Sequence, residues 1–228
     1  MKKIIMFLCT LFCCTTEAQA ASKTIKEYGI VLLLPEVFAD EAKKVNAEIA
    51  SQIHPEANLL NVFHVTLFQG RFAESKIYNL FQELKKQNFR KVRITMDSKF
   101  EIAQDRYISW PLVKNDDLKN LHIEVVKIAN PYHQGVLKRF ADSYSELDKK
   151  QKEQVDNYGM SGLFDEYNPH VTLFYFPAKN SGIKNFIKDL SPQITKKVKG
   201  VDATYLAIAE LGVNGNIEHV LFKIELGR

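Results

Sequence analysis

His64-Val65-Thr66-Leu67-Phe68 recurs unchanged as His170-Val171-Thr172-Leu173-Phe174. The second copy starts 106 residues after the first (170 less 64) in a chain of 228. Val, Thr and Phe favour strands. Successive side chains on a strand point to opposite faces, so His64, Thr66 and Phe68 should share one face, with Val65 and Leu67 on the other. His170, Thr172 and Phe174 repeat this arrangement, opposed by Val171 and Leu173. The Val/Leu face suits packing against helices. The other face carries an imidazole and a hydroxyl two residues apart on a rigid element. One such pair is weak evidence of function, because a structural histidine gives the same pattern. Two identical copies at this spacing point to one half-unit built twice, each half offering a His/Thr pair to a common ligand.

Outward from the first copy, residues 25–34 read as a buried strand ending at Pro35. Residues 36–53 read as an amphipathic helix, with Val37, Ala42, Val45, Ile49 and Ile53 near helical spacing. The first motif strand covers 62–69 and stops at Gly70. A second helix follows over 74–87, and 91–103 with 107–113 read as paired strands. Residues 115–128 are helical up to Asn130-Pro131, and a further continuous helix is expected over 136–158, with a charged middle. After a loop over 159–168, the second motif strand spans 168–176. A short helix is expected over 181–190, then a hairpin of strands 203–213 and 217–226 around Asn214-Gly215. Helices mixed with largely antiparallel strands, without strict alternation, define an α+β fold rather than a doubly wound sheet.

The amino terminus reads as an address. Lys2 and Lys3 precede an apolar run over 4–14, too short to span a bilayer, and Ala18-Gln19-Ala20 is a small-x-small cleavage site. Residues 1–20 are therefore expected to be a signal peptide. Residues 21–228 form the expected mature domain, exported to a periplasm or secreted, without stable membrane association. Cys9, Cys13 and Cys14, the only cysteines, all lie in the leader. The mature chain thus has no disulfide, no thiol nucleophile and no cysteine-held zinc. Losing the leader takes the net charge from +4 to +3. That balance does not demand a nucleic-acid partner, since one mildly basic cleft accounts for it.

Paired His/Thr sites suit attack on a phosphodiester. Histidine takes or gives a proton near neutrality, because its ordinary pKa is about 6.5. One neutral imidazole can accept a proton from water while an imidazolium protonates the departing alkoxide. Each threonine hydroxyl can donate to a non-bridging phosphoryl oxygen. His64, Thr66, His170 and Thr172 are the candidate catalytic residues. Neither motif carries a His-Glu-x-x-His or a carboxylate cluster, so no metal or other cofactor is expected.

Two H-x-T-hydrophobic motifs, one per half, resemble those of the two-histidine (2H) phosphoesterase superfamily. That superfamily includes the RNA 2′,3′-cyclic phosphodiesterases and proteins named 2′-5′ RNA ligases. The resemblance implies two similar lobes of antiparallel sheet and helices around a central cleft, in one bilobal domain over 21–228. It also implies metal-independent hydrolysis of a 2′,3′-cyclic phosphate on a nucleotide, a short RNA or a related ribose compound. A monomer is expected. Two other functions fit the same motifs: a nucleotide- or phosphate-binding module without turnover, and an RNA end-processing enzyme of the 2′-5′ ligase type.

Candidate substrate contacts are Phe68 and Phe174, which simple alternation places beside the catalytic pairs, and Arg71, which follows Gly70 where a guanidinium can meet a phosphate. Tyr132 and His133, after Pro131, are further candidates. His54, His122 and His219 read as structural or surface histidines, and Tyr175 as packed.

Overall fold

The computed structural model describes residues 24–53, 62–103, 106–176, 187, 190, 196, 198–212 and 215–227. The expected leader, His54, Asn214 and most of the helix expected over 181–190 lie outside the described residues.

In chain order the strands are β1 (Ile25–Leu33), β2 (His64–Ala73), β3 (Val92–Ile94), β4 (Glu101–Ala103), β5 (Tyr107–Pro111), β6 (His170–Tyr175), β7 (Val201–Ala203), β8 (Tyr205–Leu211) and β9 (Ile217–Glu225). The helices are α1 (Glu36–Ile53), α2 (Glu74–Lys86), α3 (Asp116–Ala129), α4 (Lys138–Asp142) and α5 (Lys149–Tyr158). Every strand pair among the described residues is antiparallel, in sheets ordered β2-β1-β8-β9, β4-β5-β6 and β3-β7. The fold is α+β.

Two expected elements are divided. Residues 91–103 give β3 and β4, which belong to different sheets. The helix expected over 136–158 is two helices joined by a 3-10 turn at Tyr144–Glu146. The cause is a capping box. Gln151 N–H donates to Asp148 Oδ1 at 2.8 Å, and Asp148 N–H donates to Gln151 Oε1 at 3.1 Å. These bonds satisfy donors that a new helix start leaves free. α5 ends at Gly159, whose φ of +74° suits a residue without a Cβ; a Cβ there would lie 2.6 Å from the Gly135 carbonyl oxygen.

The units β1-α1-β2 and β5-α3-β6 match, and their helices are exchanged. α1 leaves β1 yet packs on β6; α3 leaves β5 yet packs on β2. The apolar stripe of α3, including Leu118, Leu121, Val125 and Val126, is buried in this way. On α1, Phe38, Ala42 and Ile49 are buried. One main core joins residues of both units; within it Trp110 meets the rings of Phe38 and Phe100 edge-on and donates Nε1–H to the Asp97 carbonyl at 2.8 Å.

Candidate active site

Among the described residues the two motif strands are edge strands of their sheets; β2 has one further bridge, from Phe72 to His133. Each carries a β-bulge at its leucine. Ile30 faces Phe68 and Val31 faces Thr66, so Leu67 has no partner. Ile108 faces Phe174 and Ser109 faces Thr172, so Leu173 has none. The extra residue inverts the alternation that follows it. His64, Thr66, Gln69 and Arg71 therefore share one face, and Val65, Phe68, Gly70 and Phe72 the other. In the second unit His170, Thr172 and Tyr175 share a face, joined across the pair by Ser109 and Tyr107.

This corrects two expectations. Phe68 and Phe174 do not wall a ligand beside the histidines. They are 0% and 1% exposed and lie in the main core, where Phe68 packs on Phe72 and Phe174 on Phe176. Tyr175, expected to be packed away, is half-buried on the His/Thr face, 4.9 Å from Tyr107 between ring centroids. Arg71 does share the face of His64 and Thr66, because the bulge puts it there; simple alternation would not.

The two motifs meet. The Tyr167 hydroxyl, three residues before His170, donates to the carbonyl of Thr66 at 2.9 Å. β2 and β6 lie beside one another. His64 Nδ1 is 3.1 Å from the Val62 carbonyl, and His170 Nδ1 is 2.8 Å from the Asn168 carbonyl. A carbonyl only accepts, so each Nδ1 carries a proton and each Nε2 is the atom left for chemistry. The identical i to i−2 contact in both motifs sets both rings the same way.

The environments differ. His64 is half-buried and His170 exposed. Desolvation holds the His64 pKa below the ordinary 6.5; the bond to Val62 opposes this, and the nearby charge of His170 adds to it. His64 is therefore biased toward the neutral base. If His64 is the base in catalysis, kcat/KM should fall on the acid side only below pH 6.5, as His64 takes up its proton. An NMR titration of the imidazole checks this directly, and a His64 midpoint at or above 6.5 contradicts it.

Sequence reasoning missed Gln69 and Arg139. Gln69 Nε2 lies 3.5 Å from Thr66 Oγ1, and Gln69 Oε1 accepts from Arg139 Nη2. Desolvation lowers the Arg139 pKa, opposed by the charge of Glu27. Glu27, which accepts from the Lys138 N–H, lies on β1 opposite Arg71, so Arg139 neighbours the site face of the first motif strand. Arg139 was hidden by the misread helix; the spacing Asp148…Gln151 was the signal that could have exposed the break.

The remaining candidates lie apart. His133 bridges to Phe72, near the end of β2 away from His64, and its Nδ1 donates to the Asn130 carbonyl at 2.7 Å. Tyr132, in the 3-10 turn before it, packs partly on the core. Phe72 is eight steps along the strand from His64, roughly 26 Å, so neither is brought to the paired histidines. His122, expected to be structural or surface, is fully buried under Leu67. Among the described residues, no group of three or more His, Cys, Asp or Glu could hold a metal ion, and no helix is long and apolar enough to cross a membrane.

No known family and no curated protein matches the sequence. The structure does have counterparts. The crystal structure of E.coli LigT complexed with phosphate matches with a TM-score of 0.54 over 90% of this chain and 99% of LigT, at 15% identity. A crystal structure described as a phosphoesterase gives 0.56 over 90% of this chain and 100% of its own, at 14% identity. TT0787 of Thermus thermophilus gives 0.50 over 88% and 97%, also at 14% identity. The chain has the 2H phosphoesterase fold, and the likeness covers 88–90% of its length. LigT has also been crystallised with 3′-AMP, NADP+ and ATP.

Proposed function

We propose that this protein is a 2H phosphoesterase that hydrolyses a 2′,3′-cyclic phosphate on a nucleotide, a short RNA or a related ribose compound. The observation that carries this is the matched pair of imidazoles. Each is tied through Nδ1–H to the carbonyl two residues before it, and each leaves Nε2 free beside a threonine. The fold shared with LigT supports it, and the nucleotides bound to LigT support a ligand of nucleotide size.

His64 Nε2 takes a proton from water, whose oxygen attacks phosphorus. The P–O bond to one ribose oxygen breaks, and His170 Nε2–H protonates that oxygen. The product is a phosphomonoester with a free neighbouring hydroxyl; proton exchange with solvent resets both rings. Thr66 and Thr172 donate to the non-bridging oxygens as charge builds there. Arg139, steered by Gln69, offers a planar donor fork to a phosphate oxygen; Arg71, on the same face but next to Phe72, lies farther along the strand. Tyr107 and Tyr175 supply the ring surface for a base. The protein works as a monomer, in one bilobal domain over residues 21–228, exported after loss of residues 1–20.

The test is product analysis on 2′,3′-cyclic mononucleotides and on short RNAs with cyclic ends. Conversion to a phosphomonoester is expected. Arg139→Ala should weaken kcat/KM by about tenfold or more, as for one lost charge-assisted bond. Ligands that bind and stay intact would instead mark a binding module. Joining of RNA ends without ring opening would mark a ligase-type enzyme.

A further inference from the structure

Two buried polar side chains stand behind the motifs, and each comes from the helix of the other unit. Asn46 of α1 is 2% exposed and donates Nδ2–H to the carbonyl of Leu173 at 2.6 Å. His122 of α3 is 0% exposed and donates Nδ1–H to the carbonyl of Leu67 at 2.7 Å. Leu67 and Leu173 are the two bulged residues. The ladder leaves both unpaired, and both strands are edges, so neither carbonyl meets another strand. A buried carbonyl requires a donor, and here a side chain supplies it.

His122 is itself held from every side. Its Nε2 accepts from the N–H of Phe164 at 2.9 Å, so the ring is the neutral Nδ1–H tautomer. The ring stacks on Tyr167 at 3.9 Å with parallel planes, and Tyr167 also bonds the carbonyl of Thr66. Phe164 has a φ of +58°, a left-handed conformation that a bulky side chain adopts only under constraint. That backbone aims its N–H at His122. Gln154 fixes the same segment by bonding both the N–H and the carbonyl of Leu163.

We infer that Asn46 and His122 are positioning residues, each holding the bulge that keeps one His/Thr pair on the same face as the site residues that follow it on the strand. Each unit's helix thus shapes the other unit's half of the site, a role that rests on the function proposed above. Without the donor, the strand can relieve its bulge by slipping one residue. A slip moves Gln69 and Arg71, or Tyr175, to the wrong face.

The experiment compares Asn46→Leu, His122→Leu and His122→Asn with the unaltered protein. The leucine variants keep bulk and lose the donor; His122→Asn keeps a donor near the Nδ1 position. Each leucine variant should lose on the order of 100-fold in kcat, as a displacement of about 1 Å costs. KM should change by less than kcat does, and His122→Asn should recover most of the loss. The imidazole NMR signals should respond in a crossed pattern: Asn46→Leu moves His170, and His122→Leu moves His64. If Asn46→Leu does not fold, Asn46→Asp takes its place, with similar shape and an acceptor where the donor was. Folded variants with unchanged kcat and unmoved signals overturn the inference, as does a lowered melting temperature with full activity. The NMR pattern needs no turnover, so a protein that opens no cyclic phosphate refutes the proposed reaction while the crossed shifts still decide this one.

Discussion

His64→Ala and His170→Ala should each lower kcat/KM for a 2′,3′-cyclic nucleotide by about 10²- to 10⁴-fold, the span of general acid–base catalysis. The two losses should not multiply, because one imidazole has little to do once its partner is gone. Both variants should fold. His170 is exposed, and His64 is half-buried with one protein hydrogen bond, to a carbonyl two residues away. Steady-state kinetics beside a thermal melt separates loss of chemistry from loss of structure. A loss under about tenfold in either variant, with the fold intact, removes that ring from the reaction.

Thr66→Val and Thr172→Val should each cost about 10²-fold in kcat, near the lower end for one lost oxyanion donor. Valine keeps the β-branched shape that suits an edge strand, so the change is confined to the hydroxyl. The loss should fall on kcat more than on KM, because the donors matter most where charge develops in the transition state. Thr66 also faces Gln69 Nε2, so removing its hydroxyl leaves that amide free to reorient. The Thr66 variant should therefore lose somewhat more than the Thr172 variant. Equal KM effects with unchanged kcat would recast both residues as simple binding contacts.

Much of this site could be read from the two copies of one pentapeptide. The period of a strand puts His and Thr on one face, and that holds in both units because the bulge comes after the threonine. Beyond Leu67 and Leu173 the same rule fails. A bulge adds a residue without altering composition, so Phe68 and Phe174 read as site residues although they are core. Gln69 and Tyr175 escape a reading by alternation for the same reason. Helix α1 has the expected bounds, because Pro35 precedes it and its apolar spacing is regular. Arg139 is lost inside an expected long helix whose charged middle outweighs the capping signal at Asp148. The polar face-mates of α1 and α3 are legible only as oddities: an Asn and a His among apolar residues on buried helix faces. What they hold is 55 residues away for His122 and 127 for Asn46, a distance that local pattern cannot span.

The sheet that β1 begins is completed by β8 and β9, which are made long after it. Through most of translation, β1 lacks its neighbour on one side, although Ile30 and Leu32 are destined to be wholly buried. Bare apolar strand edges invite pairing between chains, and contacts this distant along the chain slow folding. A chain ending before Tyr205 thus leaves one side of β1 bare, and a cut between the two units would part β1 from β8, α1 from β6 and α3 from β2.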